Sequence, residues 1–212
     1  MQVRHDHDEI ERWIIQGEGR ELDFKQSITS SAKIARTMVA FANNFGGRIV
    51  VGVGDSGYIF GIDPEEEMFM IDEAGKHYCD PIIVPEYIIH EFEDVSVLEA
   101  RIPNSLHKPH KALDSDDTWK VYMRCDDKSI LASRSTIQLL INDDGVPPER
   151  VLDTKESAVI KYLGSTSFIT PKEYARMLNL SLQRARRILV NLSQEGFLLY
   201  HRDERGEYFS IK

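Results

Sequence analysis

The chain has 212 residues, 42% apolar and 29% charged, enough for a real core and too many for one small domain. Its formal charge of −9 argues against a protein that coats nucleic acid or membrane with its whole surface, and no apolar run approaches the roughly 18 residues of a membrane span. Cys79 and Cys125 sit in no paired spacing and the start carries no signal peptide, so the sequence predicts a cytoplasmic protein without a disulfide scaffold or a Cys-rich zinc finger.

Ile10, Trp13 and Ile14 recur at i, i+3, i+4 and predict a helix over Asp6–Ile15, broken by Gly17-Glu18-Gly19. Glu21–Lys25 alternates polar and apolar, the period of a half-buried strand. Leu22 and Phe24 then face the core, while Glu21, Asp23 and Lys25 line the other face. Thr29–Asn43 places Ile34, Met38, Phe41 and Ala42 on one helical face, with Ser and Thr available as N-caps and Gly46-Gly47 turning the chain afterwards. The β-branched run Arg48–Gly54 predicts a buried central strand, Asp55-Ser56-Gly57 a turn, and Tyr58–Gly61 a short partner strand. A helix over Pro64–Tyr78, paired strands at Glu86–Phe92 and Val95–Ile102, a strand at Trp119–Arg124 and a closing helix at Ser133–Ile141 follow. Helices interleaved with hairpins predict an α+β fold with a mixed sheet.

Gly52-Val53-Gly54-Asp55-Ser56-Gly57 matches the GxGxxG pattern. A dinucleotide loop must open a helix, however, and Tyr58–Gly61 reads as strand, so a tight turn is the better reading. No GxxxxGK[ST] cradle for a nucleoside triphosphate is present. His107 and His110 flank Lys108-Pro109 in an expected loop, where either can touch phosphate or metal and a solvated role is the plainer one.

Charge divides the chain. Residues 1–150 balance to −12 and residues 151–212 to +3. The sign changes after Asp143-Asp144-Gly145-Val146-Pro147-Pro148, where Asp-Gly and a Pro pair interrupt regular structure. The domain boundary is therefore expected near residue 150, giving an α+β domain at 1–150 and a second domain at 151–212.

In the second domain Thr154–Leu163 reads as a helix. Thr170-Pro171-Lys172-Glu173 is a capping box opening a second helix to Leu178, and Ser181 caps a third that runs to about Gln194. Ala185, Ile188, Leu189 and Leu192 form the core face of that third helix. Two alternating strands, Phe197–Arg202 and Glu207–Ile211, flank Asp203-Glu204-Arg205-Gly206. Three helices followed by a hairpin resemble a winged helix-turn-helix. Opposite the core face lie Gln183, Arg184, Arg187, Asn191 and Gln194, with Arg186 beside them. Arg can read guanine, Asn and Gln can read adenine, and all the cations pair with phosphate. A solvated basic helix or a protein-docking module is the competing reading.

Five ordered signals in residues 15–140 are more specific together than apart: Glu18-Gly19-Arg20-Glu21-Leu22-Asp23-Phe24-Lys25, Phe41-Ala42-Asn43-Asn44-Phe45-Gly46-Gly47, Val51–Gly57, Lys108-Pro109-His110 and Tyr122-Met123-Arg124. They resemble the Schlafen AlbA-type domain. Asp23 stands where the family has Glu, and Cys125-Asp126-Asp127 follows Arg124 where a glycine is common. The resemblance implies nucleic-acid or ATP binding. For a subset of vertebrate Schlafens it implies RNA cleavage by three carboxylates, matched here by Glu18, Asp23 and Asp55. Three converging acids can hold Mg²⁺ or Mn²⁺ and activate water, with Lys25 neutralising the developing charge.

The reading that follows is a nucleic-acid-binding protein, a DNA-binding transcriptional regulator with the winged helix on DNA rather than RNA, without a cofactor and acting as a dimer. The alternatives are a metal-dependent nuclease using Glu18, Asp23, Asp55 and Lys25, and an ATP-binding regulator. The three acids are expected to lie within one shallow patch, with Lys25 as their partner in the absence of metal.

Overall fold

A computed structural model describes residues 2–4, 7–92, 94–141, 150–203 and 206–211. The chain divides into two compact units, Met1–Leu131 and Ala132–Lys212. The division falls earlier than the boundary expected near 150, and the tract Asp143–Pro148 lies outside the described residues.

The first unit runs β1 (Gln2–Arg4), α1 (His7–Gln16), β2 (Leu22–Lys25), α2 (Ser31–Asn43), β3 (Gly47–Val51) and α3 (Pro64–His77). It continues through β4 (Cys79–Asp80), β5 (Glu86–Phe92), β6 (Val95–Ile102), β7 (Lys111–Leu113), β8 (Trp119–Lys120), β9 (Tyr122–Cys125) and β10 (Lys128–Leu131). Five strands form the main sheet in the order β1-β5-β6-β3-β2. The outer pairs β1–β5 and β2–β3 are parallel and the inner pairs antiparallel, so the α+β fold with a mixed sheet is present.

Both faces of this sheet are covered. On one, Ile34, Met38 and Phe41 of α2 pack on Ile49, Val51, Leu98 and Ala100. On the other, Ile10 and Trp13 of α1 pack on Leu22, Phe24, Val50 and Val97. This corrects the expectation that only the Leu22 and Phe24 side of β2 faces the core. Asp23 pairs in register with Ile49 and Lys25 with Val51, so both share the α2 side, and Asp23 is only 3% exposed. The expected strand Trp119–Arg124 is two short strands in different sheets: β8 pairs with β7, and β9 pairs with β10. The partner strand expected at Tyr58–Gly61 is reduced to a single bridge, Val53 to Ile59.

The second unit contains α4 (Arg134–Ile141), α5 (Thr154–Leu163), α6 (Pro171–Met177), α7 (Leu182–Gln194), β11 (Leu198–Asp203) and β12 (Gly206–Ile211). The helix expected to close the first domain thus belongs here as α4. The Thr136 hydroxyl on it donates to the Tyr200 carbonyl of β11 at 2.7 Å. Both expected caps form: the Thr170–Glu173 capping box opens α6 with Pro171 in its first turn, and the Ser181 hydroxyl accepts from the Arg184 N–H to open α7. A second capping box, Asp153 with Glu156, starts α5. Val159, Leu163, Ile169, Tyr174, Ala185, Leu189, Leu192, Leu198 and Phe209 close the core between the helices and the hairpin.

Candidate nucleic-acid interface and the carboxylate motif

β2 lies at the edge of the main sheet. An edge strand presents every second residue's N–H and C=O outward, and such groups need partners. Glu21 and Lys25 turn their carbonyls to β3, accepting from Arg48 and Gly52. Leu22 and Phe24 are left facing out. The side chains of the motif fill that role: the Glu18 carboxylate accepts from the Phe24 N–H at 2.7 Å, and the Lys25 ammonium donates to the Phe24 carbonyl at 2.7 Å. The Leu22 carbonyl accepts from Arg124 Nη2 at 3.2 Å and from the Gly19 N–H at 2.9 Å.

Asp23 sits between two cations. Its Oδ1 is 2.8 Å from Arg124 Nη2, and its other oxygen pairs with Lys25. Arg124 is 2% exposed, its guanidinium lies 4.8 Å from the Phe41 ring centroid, and its Nε donates to the Gly19 carbonyl. Burial raises the Glu18 carboxyl above the usual carboxylate range, with the Asp23 charge adding to this. The Phe24 N–H, Lys25 and Arg124 pull the other way.

Asp55 is not part of this group. Asp23 is level with Ile49 in the sheet, whereas Asp55 is exposed in the turn beyond the end of β3. Among the described residues no three His, Cys, Asp or Glu side chains converge as metal ligands. The fold thus gathers Glu18, Asp23 and Lys25, adds Arg124, and forms no three-acid cluster. Arg124 was legible only as part of the Tyr122-Met123-Arg124 signal. Its partnership with Asp23 joins residues about a hundred positions apart, which no local pattern reveals.

The other motifs serve the same frame. Asn43 Nδ2 donates to the His110 and Tyr122 carbonyls, and its oxygen accepts from the His110 N–H. Asn44 does likewise for Arg124, donating to its carbonyl and accepting from its N–H. His110 is buried, not solvated. Its Nδ1–H donates to the Pro81 carbonyl and its Nε2 accepts from Ser105, while burial holds its pKa below the ordinary histidine value. His107 remains exposed.

A second buried charge group lies on the α1 face. Glu99, fully buried on β6, accepts from Arg101 Nε at 2.7 Å and from His90 Nε2 at 3.2 Å. Burial pushes this carboxyl up, but the hydrogen bonds from His90 and Arg101 outweigh it and hold it below its ordinary value.

On α7 the arrangement is reversed. Ala185, Leu189 and Leu192 are buried, and Gln183, Arg184, Arg187, Asn191 and Gln194 are exposed. Arg184 and Arg187 form no ion pair among the described residues. Arg186 differs: its Nε donates to Glu207 Oε1 on β12 at 2.7 Å. The sequence places Arg186 with the nucleic-acid contacts, and the fold pairs it with Glu207 of the same unit.

Residues 18–133, more than half of the chain, match the Schlafen AlbA_2 family, and the chain belongs to it. Two solved structures are similar to it. One is the N-terminal domain of an ATP-dependent DNA helicase RecG-related protein from Nitrosomonas europaea, at 19% identity and a TM-score of 0.43, covering 53% of this chain and 82% of that one. The other is the DIP2311 protein from Corynebacterium diphtheriae, at 16% identity and a TM-score of 0.44, covering 91% of this chain and 34% of that one. The chain therefore spans about a third of the DIP2311 protein. No curated protein matches the sequence. Among the described residues no helix is long and apolar enough to cross a membrane.

Proposed function

We propose that this is a nucleic-acid-binding protein in which residues 151–212 act as a winged helix-turn-helix reading duplex DNA, as a transcriptional regulator does. The observation that carries the reading is the face of α7: four side chains able to contact bases or phosphates, Gln183, Arg184, Arg187 and Asn191, stand exposed on the side away from the core. A single such helix reads only a half-site, so two copies are expected on a symmetric target, held together through the first unit. The AlbA_2 family membership favours nucleic acid as the partner.

The nuclease reading has less support. It needs Glu18, Asp23 and Asp55 to converge on Mg²⁺ or Mn²⁺, whereas Asp23 is paired to Arg124 and Lys25 and Glu18 caps the edge of β2. ATP binding lacks a phosphate loop in the sequence. The test is selection of a duplex from random sequence by the full chain, followed by binding of Arg187→Ala. A loss in the variant supports DNA reading, and equal retention of both proteins contradicts it. Mg²⁺-dependent RNA cleavage that disappears in folded Asp55→Asn would overturn the choice in favour of the nuclease.

A further inference from the structure

Arg186 and Arg187 are neighbours in sequence, yet α7 gives them different surroundings. Successive residues on a helix are turned by about 100°, so one can face the groove of a nucleic acid while the next reaches sideways. Arg186 reaches the hairpin, where its Nε meets the Glu207 carboxylate at 2.7 Å. The Glu207 side chain is 23% exposed against 59% for Arg186, so the acid is the more enclosed partner. The hydrogen bond that Arg186 donates to Glu207 raises the Arg186 pKa further.

Glu207 has a second basic neighbour. It lies directly across the hairpin from Arg202, and directly opposite residues of an antiparallel pair project to the same side. Next along the ladder on that side come Tyr200 and Phe209, which pack in the core with Ala185 and Leu189 of α7. The salt bridge therefore continues, at the solvent end, the seam by which the hairpin sits on the helix. Apolar packing fixes the inner part of that seam, and the Arg186–Glu207 pair fixes the outer part.

We infer that Arg186 is a positioning residue: it braces the hairpin against α7 through Glu207 and makes no contact with nucleic acid itself. The inference rests on the DNA-reading role proposed for α7. A helix and a hairpin that grip one duplex must keep a set angle, because a small misplacement lets one engage only as the other lets go. The brace holds that angle before DNA arrives. It also neutralises one arginine beside the reading face, leaving Arg184 and Arg187 as the cations directed to the duplex.

The salt dependence of binding separates a brace from a contact. Each phosphate neutralised by a side chain contributes about one unit to the slope of log affinity against log salt. Full-length wild type, Arg186→Ala, Arg187→Ala and Glu207→Gln are compared on a selected duplex and on a scrambled one. Arg186→Ala is expected to keep the wild-type slope on the scrambled duplex while its preference for the selected duplex falls about tenfold. Glu207→Gln is expected to lose the same preference without weakening on scrambled DNA, since it removes a negative charge. Amide exchange in β11 and β12 is expected to speed up in both variants without DNA. A slope reduced by about one unit in Arg186→Ala, or an unchanged preference in Glu207→Gln, overturns the inference. Absence of duplex binding by the wild type is a different result: it removes the DNA reading itself, and the positioning role with it.

Discussion

The two units treat their charged side chains in opposite ways. In the first unit the residues that resemble a catalytic set are engaged with one another and with the backbone. Asp23 lies between Arg124 and Lys25, and Glu18 and Lys25 close the outward groups of Phe24. In the second unit Arg184 and Arg187 stand exposed on α7 with no ion pair among the described residues. A charge already paired and desolvated is costly to uncover and is poorly placed to meet a ligand. A solvated charge adds little to stability and remains available. The contrast teaches that a motif can recur because an edge strand needs capping, with no chemistry implied at the same residues.

The largest effect should come from breaking the first unit's pairing. Arg124→Met leaves Asp23 buried with half its partners and is expected to destabilise the first unit by about 3–5 kcal/mol. Trp13 and Trp119 are the chain's two tryptophans and both lie in the first unit, so urea unfolding followed by tryptophan fluorescence reads this directly. A loss below about 1 kcal/mol would show that the pair is not structural.

Acid should sharpen the comparison in the second unit. His201 is fully buried, its Nε2 shares a hydrogen bond with the Ser210 hydroxyl, and burial pushes its pKa down to about 4. The folded pKa is depressed, so the stabilisation is complete above the unfolded value of 6.5 and is lost as pH falls toward 4. The loss is on the order of 3 kcal/mol, and amide exchange in β11 and β12 follows it. His201→Gln should flatten this dependence. The Glu99 carboxyl of the first unit is also depressed, but its contribution is present above the ordinary carboxylate value and fades only below it. Burial also depresses the His110 pKa of the first unit, where the hydrogen bond to the Pro81 carbonyl opposes the shift, so tryptophan fluorescence should change less than amide exchange of the hairpin between pH 6.5 and 5. A loss in the first unit equal to or larger than that in the hairpin would break the distinction.

A smaller effect is expected on binding. Arg187→Ala should weaken a selected duplex by about 1–3 kcal/mol while leaving the unfolding midpoint unchanged, as measured by fluorescence anisotropy and thermal melting of the same samples. The smallest concerns Glu18. Glu18→Gln keeps an acceptor for the Phe24 N–H and should change stability by no more than about 0.5 kcal/mol, whereas Glu18→Ala should lose about 1–2 kcal/mol in urea unfolding. Equal losses in the two variants would mean that the negative charge itself is needed at this position.

Local periodicity carried most elements of the fold. The amphipathic patterns of α2 and α7, the capping box of α6 and the β-branched run of β3 each need only neighbouring residues to be recognised. What escaped was set by distant partners. Asp23 reads as the polar half of an alternating strand, and only the presence of α2 and β9 on that side makes it buried. The helix Arg134–Ile141 carries nothing that assigns it to one unit or the other, since its partner Tyr200 lies more than sixty residues downstream. His110 looks like a loop histidine until Pro81 and Ser105 close on its two ring nitrogens. The surroundings of the candidate site residues were partly legible for the same reason. Gln183, Arg184, Arg187 and Asn191 follow from helical spacing alone, but the engagement of Arg186 with Glu207 and of Asp23 with Arg124 depends on tertiary contacts.

The most direct measurement compares the salt dependence of duplex binding for the wild type and for Arg184→Ala/Arg187→Ala, both full length and shown to be folded. If α7 is the reading element, the double variant binds the selected duplex far more weakly, and its slope of log affinity against log salt is shallower by about one to two units. An affinity and slope equal to those of the wild type would contradict the account and move the nucleic-acid surface away from α7.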